Sequence, residues 1–148
     1  GVQTCALPIC SITVTASFGT STQTGCEITI LEGSGIDATT NDGIVQSATA
    51  TGSATSGSVT LTVTSGNLTV LSVSHAANES TSSSNMGTAL SSTSGTTPSQ
   101  SGATFTSLSV NNPQGNWTTS SSYLMIGWEL KSSAAASYGP QLMLLGVG

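Results

Sequence analysis

The chain has 148 residues, of which 28 are serine and 25 are threonine, while only 5% are charged. One lysine stands against six acidic residues, which gives a net charge of −5. A single cation cannot neutralise a row of phosphates or hold an anionic bilayer surface, so we expect no nucleic-acid partner. No apolar run approaches the ~18 residues that a spanning helix needs, so we expect no membrane insertion.

The hydroxyl-rich composition fits either a disordered segment or a β protein that exposes Ser and Thr. Disordered chains combine low hydrophobicity with high net charge. Here the mean hydropathy is +0.18, and Ile, Val and Leu recur in alternating runs. This pattern favours a folded β domain.

The first nine residues, Gly1–Ile9, read GVQTCALPI. They resemble the in-frame translation of a sequencing adapter, which also makes Cys10 suspect. We therefore expect a β-sandwich domain over residues 10–131, a linker over 132–140, and an apolar strand or docking tail over 141–148. With Cys10 set aside, Cys26 is expected to be a small buried residue on a strand rather than half of a disulfide.

Two alternating runs open the domain. In Ser11–Phe18 the apolar residues occupy positions 12, 14, 16 and 18, between threonines and serines. In Cys26–Leu31 the residues at 26, 28 and 30 face one way and those at 27, 29 and 31 the other. A period of two is typical of half-buried strands, and Gly19–Gly25 between them has the composition of a turn.

A loop rich in glycine and acidic residues follows, Glu32–Gly43, and ends in an Asn-Asp-Gly turn signal. Glu32, Asp37 and Asp42, with Asn41, offer the oxygen ligands that calcium prefers. Their spacing matches no calcium-binding loop, so a solvated acidic loop without metal is the expectation.

In the middle of the chain, Ile44–Thr51 is a weaker strand candidate and Ser58–Thr64 the clearest one, with residues 59, 61 and 63 inward. Ser65–Asn67 is a short turn into Leu68–His75, so these last two runs are predicted to form a hairpin. The apolar phase slips within Leu68–His75, which indicates a bulge or burial on both faces.

The second half begins with a long stretch of low complexity, Ala76–Gly102, in which we expect a short edge strand near Met86–Ser91. Ala103–Val110 is another predicted strand, followed by a turn cluster at Asn111–Asn116. Tyr123–Lys131 is the most apolar run and is expected to lie centrally. Its predicted core face consists of Leu124, Ile126, Trp128 and Leu130, and Lys131 is expected to form an exposed ion pair with Glu129.

Seven to nine short strands without helical periodicity predict an all-β, two-sheet antiparallel β-sandwich. Jelly-roll and immunoglobulin-like connectivity both stay open.

Three stretches, Glu27–Asp37, Ser58–His75 and Tyr123–Lys131, together resemble a β-sandwich module of secreted bacterial proteins and phage virion proteins. Gly33 stands where that module carries an aromatic residue. The resemblance implies a non-catalytic structural or adhesive module without an assigned active site, in an extracellular or virion setting.

Catalytic chemistry has little support in the sequence. His75 is the only histidine and its strand position favours a structural or surface role. No arginine is present to clamp an anionic substrate, and Gly33–Gly35 lacks the spacing of a nucleophile elbow because residue 32 is Glu. We expect no enzyme activity and no cofactor.

Trp117 is the best binding candidate, since it follows the turn cluster and precedes a run of hydroxyl residues. With Asn116 it could contact a glycan by stacking on a sugar ring. The alternative is that Trp117 closes one end of the sandwich. The expected partners are other copies or domains of a surface assembly, reached in part through the uncharged tail, with a carbohydrate-binding module as the alternative function.

Overall fold

The computed structural model describes residues 15, 33, 35–39, 41–94 and 101–133. After a 3-10 turn at Asn41–Gly43 come five strands: β1 Ile44–Ser58, β2 Leu68–His75, β3 Ala89–Ser94, β4 Ser101–Leu108 and β5 Gln114–Leu130. They form one antiparallel sheet in the order β1-β5-β2-β4-β3. The expected all-β class is confirmed.

The described residues give one sheet of five strands, not the predicted two sheets of seven to nine. Five sequence predictions lie outside the described residues: the adapter-like Gly1–Ile9, the turn Gly19–Gly25, the strand Cys26–Leu31, the greater part of the linker 132–140 and the tail 141–148. Of the predicted strand Ser11–Phe18, only Thr15 is described, and it is exposed.

The hairpin predicted between Ser58–Thr64 and Leu68–His75 is wrong. β2 has β4 on one side and β5 on the other, so neither of its edges is free for a further strand. The weaker candidate, Ile44–Thr51, instead begins the 15-residue strand β1. The turn at Gly66 does form, with φ at 89°, but it leads into β2 from a segment that lies over the sheet.

That segment, Val59–Thr64, is extended without being a strand, and we call it the covering segment. Several of its backbone polar groups are hydrogen-bonded to the turn before β5. Val59 N donates to Pro113 O at 3.1 Å. Leu61 N donates to the side-chain oxygen Oδ1 of Asn112, and Asn112 N donates to Leu61 O. Val63 N donates to Asn111 Oδ1 at 2.6 Å. The covering segment therefore needs no neighbouring strand.

The ends of β1 and β5 also fold over the sheet. The register between the two strands shifts between Ala54 and Ser56. Beyond that point a Cβ added at Gly115 would lie 2.9 Å from Val73 Cγ2 and 3.3 Å from Met125 Cε, although Met125 lies ten residues further along the same strand. The start of β5 therefore packs on the sheet to which its later residues belong.

Residues directly opposite each other on antiparallel strands point to the same side, so the register defines two faces. The inner face carries the core and is covered by Val59, Leu61, Val63, Met86 and Trp117. Its own buried side chains are Leu71, Val73, Ala103, Phe105 and Met125.

The predicted core face of β5 is wrong. Leu124, Ile126, Trp128 and Leu130 point to the outer face, where none of the four is fully buried. In the predicted run Tyr123–Lys131, the buried positions are Met125, Gly127 and Glu129. A Cβ at Gly127 would lie 2.7 Å from Leu61 Cδ1, so this glycine leaves the space into which the covering segment packs.

Two smaller predictions are confirmed. The long stretch before β4 contains a short edge strand, β3, which begins at Ala89 and pairs only with β4 among the described strands. The phase slip in β2 reflects burial on both faces, since the consecutive residues Val70 and Leu71 are both buried. No register shift occurs along β2 with either neighbour, so it has no bulge.

Candidate functional site

Trp117 lies in the interior, with 5% of its surface exposed. Its ring is stacked on His75, with centroids 4.8 Å apart and planes at 11°, and it meets the edge of Tyr123 at 5.3 Å. The indole Nε1 donates to the backbone oxygen of Ala54 at 2.8 Å. The indole is therefore a core side chain, and the predicted exposed platform for a sugar ring is wrong for this residue.

Asn116, the other candidate glycan contact, is half-buried. Its backbone N donates to Ser82 O at 2.8 Å and its backbone O accepts from Ser82 N at 2.9 Å. On its other side it pairs in register with Ser56 of β1. The backbone of Asn116 thus joins three extended pieces above the inner face, which is a structural role.

His75 is buried beside Trp117, with 1% of its surface exposed. Its Nε2 lies 2.8 Å from Thr81 Oγ1, and among the described residues its Nδ1 has no hydrogen-bond partner. Burial lowers the pKa of His75 below its usual 6.5, while the charge of Glu79 opposes that shift. The imidazole is therefore neutral at pH 7 and packs as part of the core.

Glu79, which the sequence analysis did not single out, anchors the loop after β2 to β5. Its carboxylate accepts from Thr118 N at 3.1 Å, from Thr119 N at 2.5 Å, and from the Thr118 hydroxyl. The Thr118 hydroxyl bond is the main cause that lowers the pKa of Glu79. No sequence motif marks this residue, because its partners lie about forty positions away.

Glu129 is a fully buried carboxylate on the inner face. It accepts from Gln46 Nε2 at 2.6 Å, Thr64 N at 2.8 Å and Asn67 Nδ2 at 2.7 Å. Burial by itself raises the pKa of Glu129, but these hydrogen bonds outweigh it and the net shift is downward. The charged carboxylate of Glu129 thereby holds the end of the covering segment and the turn into β2 in place.

The predicted ion pair between Glu129 and Lys131 is wrong. Lys131 Nζ lies 2.8 Å from Asp37 Oδ2, in the loop before β1. The Lys131 contact and hydrogen bonds from Thr39 lower the pKa of Asp37 to about 2. The Glu129 carboxylate is instead engaged by Gln46, Thr64 and Asn67, and β5 ends at Leu130, before Lys131.

The acidic loop holds no metal-binding group that the structure describes. Asp37 is engaged with Thr39 and Lys131, while Glu32 and the side chain of Asp42 lie outside the described residues. Across the described ranges, no three His, Cys, Asp or Glu side chains come together as metal ligands.

The outer face carries several exposed or half-buried apolar side chains. One row of four aliphatic residues crosses four strands, each directly opposite the next: Ile44, Leu130, Leu68 and Leu108. Trp128, Ile126 and Leu124 continue this surface along β5. Ile44, Leu108 and Leu124 are each 40–48% exposed, whereas exposed apolar residues on a soluble domain are normally scattered singly.

No protein-family model, curated protein or solved structure matches the chain. Within the described ranges, no helix has the length and hydropathy that crossing a membrane requires.

Proposed function

We propose that the chain is a non-catalytic structural or adhesive β-sandwich module of a virion or secreted surface protein. In this proposal the five-stranded sheet is one layer of a two-sheet sandwich. The module acts through contacts with other copies or other domains of a surface assembly. The linker 132–140 and the apolar tail 141–148 extend it toward such a neighbour.

The observation that carries the proposal is the edge strand β1. It is 15 residues long, contains no charged residue and no proline, and pairs only with β5 among the described strands. Ten of its residues are exposed. Natural edge strands are usually short or protected by charges and prolines, because an unprotected edge adds a strand from another chain. An edge of this length and composition fits strand addition between copies.

The fate of the polar side chains supports the same proposal. Glu129 lies at the opposite end of β2 from His75 and Glu79, and each of these side chains holds a segment against the sheet. Groups that perform catalysis instead converge on a common cleft with a free face toward substrate. The side chains most suited to chemistry are engaged in building the scaffold.

The test compares two double variants by sedimentation velocity over a range of protein concentrations. Ser53→Lys with Thr55→Lys places charge on exposed positions of β1, and Thr60→Lys with Ser84→Lys places it on exposed positions over the inner face. Each pair changes the net charge from −5 to −3, so general repulsion decreases equally in both.

We expect the wild-type protein to associate as concentration rises, the β1 variant to stay monomeric, and the control to associate like wild type. A wild-type chain that is monomeric throughout contradicts the proposal. Equal weakening in both variants contradicts the role of the β1 edge.

A further inference from the structure

Among the described residues, no counterpart of the covering segment packs over the outer face. The residues that pack over the sheet, including Val59, Leu61 and Trp117, all belong to the core on the inner side. Yet the outer row of aliphatic residues spans four of the five strands. A sheet that is apolar on both sides is stable in water only when both sides are covered.

We propose that Ser11–Leu31 folds as a hairpin onto the outer face and forms the second sheet of the module. This inference rests on the proposed two-sheet sandwich and names the segment that builds its missing layer. The two runs Ser11–Phe18 and Cys26–Leu31 have the pattern such a layer requires, with alternate residues apolar and the others largely hydroxyl-bearing. Thr15, in a polar position of the first run, is exposed.

The described residues that precede β1 are attached at the end of β5, where the outer row of apolar residues also lies. Ile36 pairs with Ser132, Ser133 N donates to Gly35 O at 2.9 Å, and Asp37 N donates to Lys131 O at 2.8 Å. The ion pair between Asp37 and Lys131 strengthens the same attachment. Residues 35–37 are thus fixed beside residues 131–133, which directly follow Leu130 of the apolar row.

The lengths match as well. From Leu130 to Leu124 the outer face of β5 extends over six residue steps, about 20 Å at ~3.3 Å per residue. Cys26–Leu31 has almost the same extended length. With Leu31 near Leu130, Cys26 lies near Leu124 and Ser74, which are directly opposite each other on β5 and β2.

Gln141–Val147 is a poorer occupant of this face. Its apolar residues are largely consecutive, so a strand formed by it has no polar side to turn toward water. An alternating hairpin buries one side and exposes the other.

The experiment is disulfide formation in the full-length chain. Cys5→Ser and Cys10→Ser leave Cys26 as the only native thiol. Ser74→Cys then places a second thiol on the outer face, and Ser84→Cys places one at an exposed control position over the inner face. Both changes replace a hydroxyl by a thiol. Under mild oxidation at low protein concentration we expect the intramolecular disulfide at position 74 to form at least about tenfold faster than at position 84.

Equal rates at the two positions overturn the inference. Disulfides between chains, rising with protein concentration, also overturn it, because a second copy then occupies the face. If Ser74→Cys does not fold, Thr51→Cys, exposed on β1 opposite Leu124, replaces it.

Hydrogen exchange of the wild-type chain separates this inference from the function on which it rests. If the disulfide does not form while amides of both runs are protected from exchange, the hairpin packs at another place. That result overturns the inference but leaves the proposed two-sheet sandwich intact. If those amides exchange as in an unfolded chain, the hairpin and the two-sheet sandwich both fail.

Discussion

The imidazole of His75 lies parallel to the indole of Trp117, with the ring centroids 4.8 Å apart. This stack joins the end of β2 to the start of β5 on the inner face of the sheet. It places the chain's only histidine and one of its two tryptophans in the core, where both contribute to stability rather than to binding.

Burial of His75 makes stability depend on pH. Its pKa in the folded protein is below the unfolded value of 6.5, so the unfolded chain binds the proton more tightly. As pH falls through 6.5 the unfolded state gains protons first, and the free energy of unfolding decreases until the folded pKa is reached. Urea unfolding between about pH 7.5 and pH 5.5 measures this decrease. In His75→Gln the decrease should disappear; a variant that keeps the wild-type pH dependence contradicts the assignment.

Trp117→Ala should cost about 3–5 kcal/mol of unfolding free energy, the usual range for removing a large buried aromatic side chain. Trp117→Phe keeps much of the apolar volume but loses the hydrogen bond from Nε1 to Ala54 O, so about 1–3 kcal/mol is expected. Denaturant unfolding measures both. A near-neutral alanine variant would mean that this side chain is exposed in solution.

Glu129→Gln should lower the unfolding free energy by about 2–3 kcal/mol, because the single amide oxygen replaces two carboxylate oxygens that accept from three donors. Asp37→Asn is the matched control, since it removes the same charge from a surface ion pair and should cost less. Denaturant unfolding at neutral pH gives both values. Equal losses of unfolding free energy would show that the hydrogen bonds around Glu129 stabilise the fold no more than the surface ion pair does.

Gly127→Ala should destabilise the fold by about 1–3 kcal/mol, because its Cβ meets Leu61 and Val59 of the covering segment. Gly87→Ala is the control: the nearest atom to its Cβ is Thr106 O at 3.8 Å. Thermal unfolding of the two variants should show a clear loss for the first and little change for the second. Similar melting temperatures would contradict the close packing of the covering segment on β5.

In the covering segment, the sequence predicts the direction of the side chains but not the strand pairing. Val59, Leu61 and Val63 are buried and Thr60 and Thr62 exposed, as their alternation indicated. Alternation does not reveal where the backbone hydrogen bonds go, however, and here they go to the Asn111–Pro113 turn rather than to β2.

For a related reason, the sequence does not show which face of β5 is buried. Both phases of this strand contain apolar residues, and the more hydrophobic phase, with Trp128, was the reasonable prediction. Burial instead follows Gly127 and Glu129, because the glycine makes room for Leu61 and the carboxylate receives Thr64 N. Both causes depend on contacts with a segment about sixty residues earlier. The periodicity of a local run carries no information about such contacts.

The burial of Trp117 also could not be predicted from the local sequence. Its local context, after a turn and before hydroxyl residues, is typical of an exposed residue. Its ring partner His75 is about forty residues away, and its hydrogen-bond acceptor Ala54 about sixty. The turn glycine at Gly66 and the edge strand β3, by contrast, follow from local sequence signals.

The most direct test of the proposed assembly role is backbone hydrogen exchange of the wild-type chain at low and high protein concentration. Strand addition at the edge of β1 that no described strand covers should slow exchange of amides in β1, Ile44–Ser58, as concentration rises. Amides of the interior strand β2 should stay unchanged. Association that protects other regions, with exchange in β1 unaltered, would contradict the account.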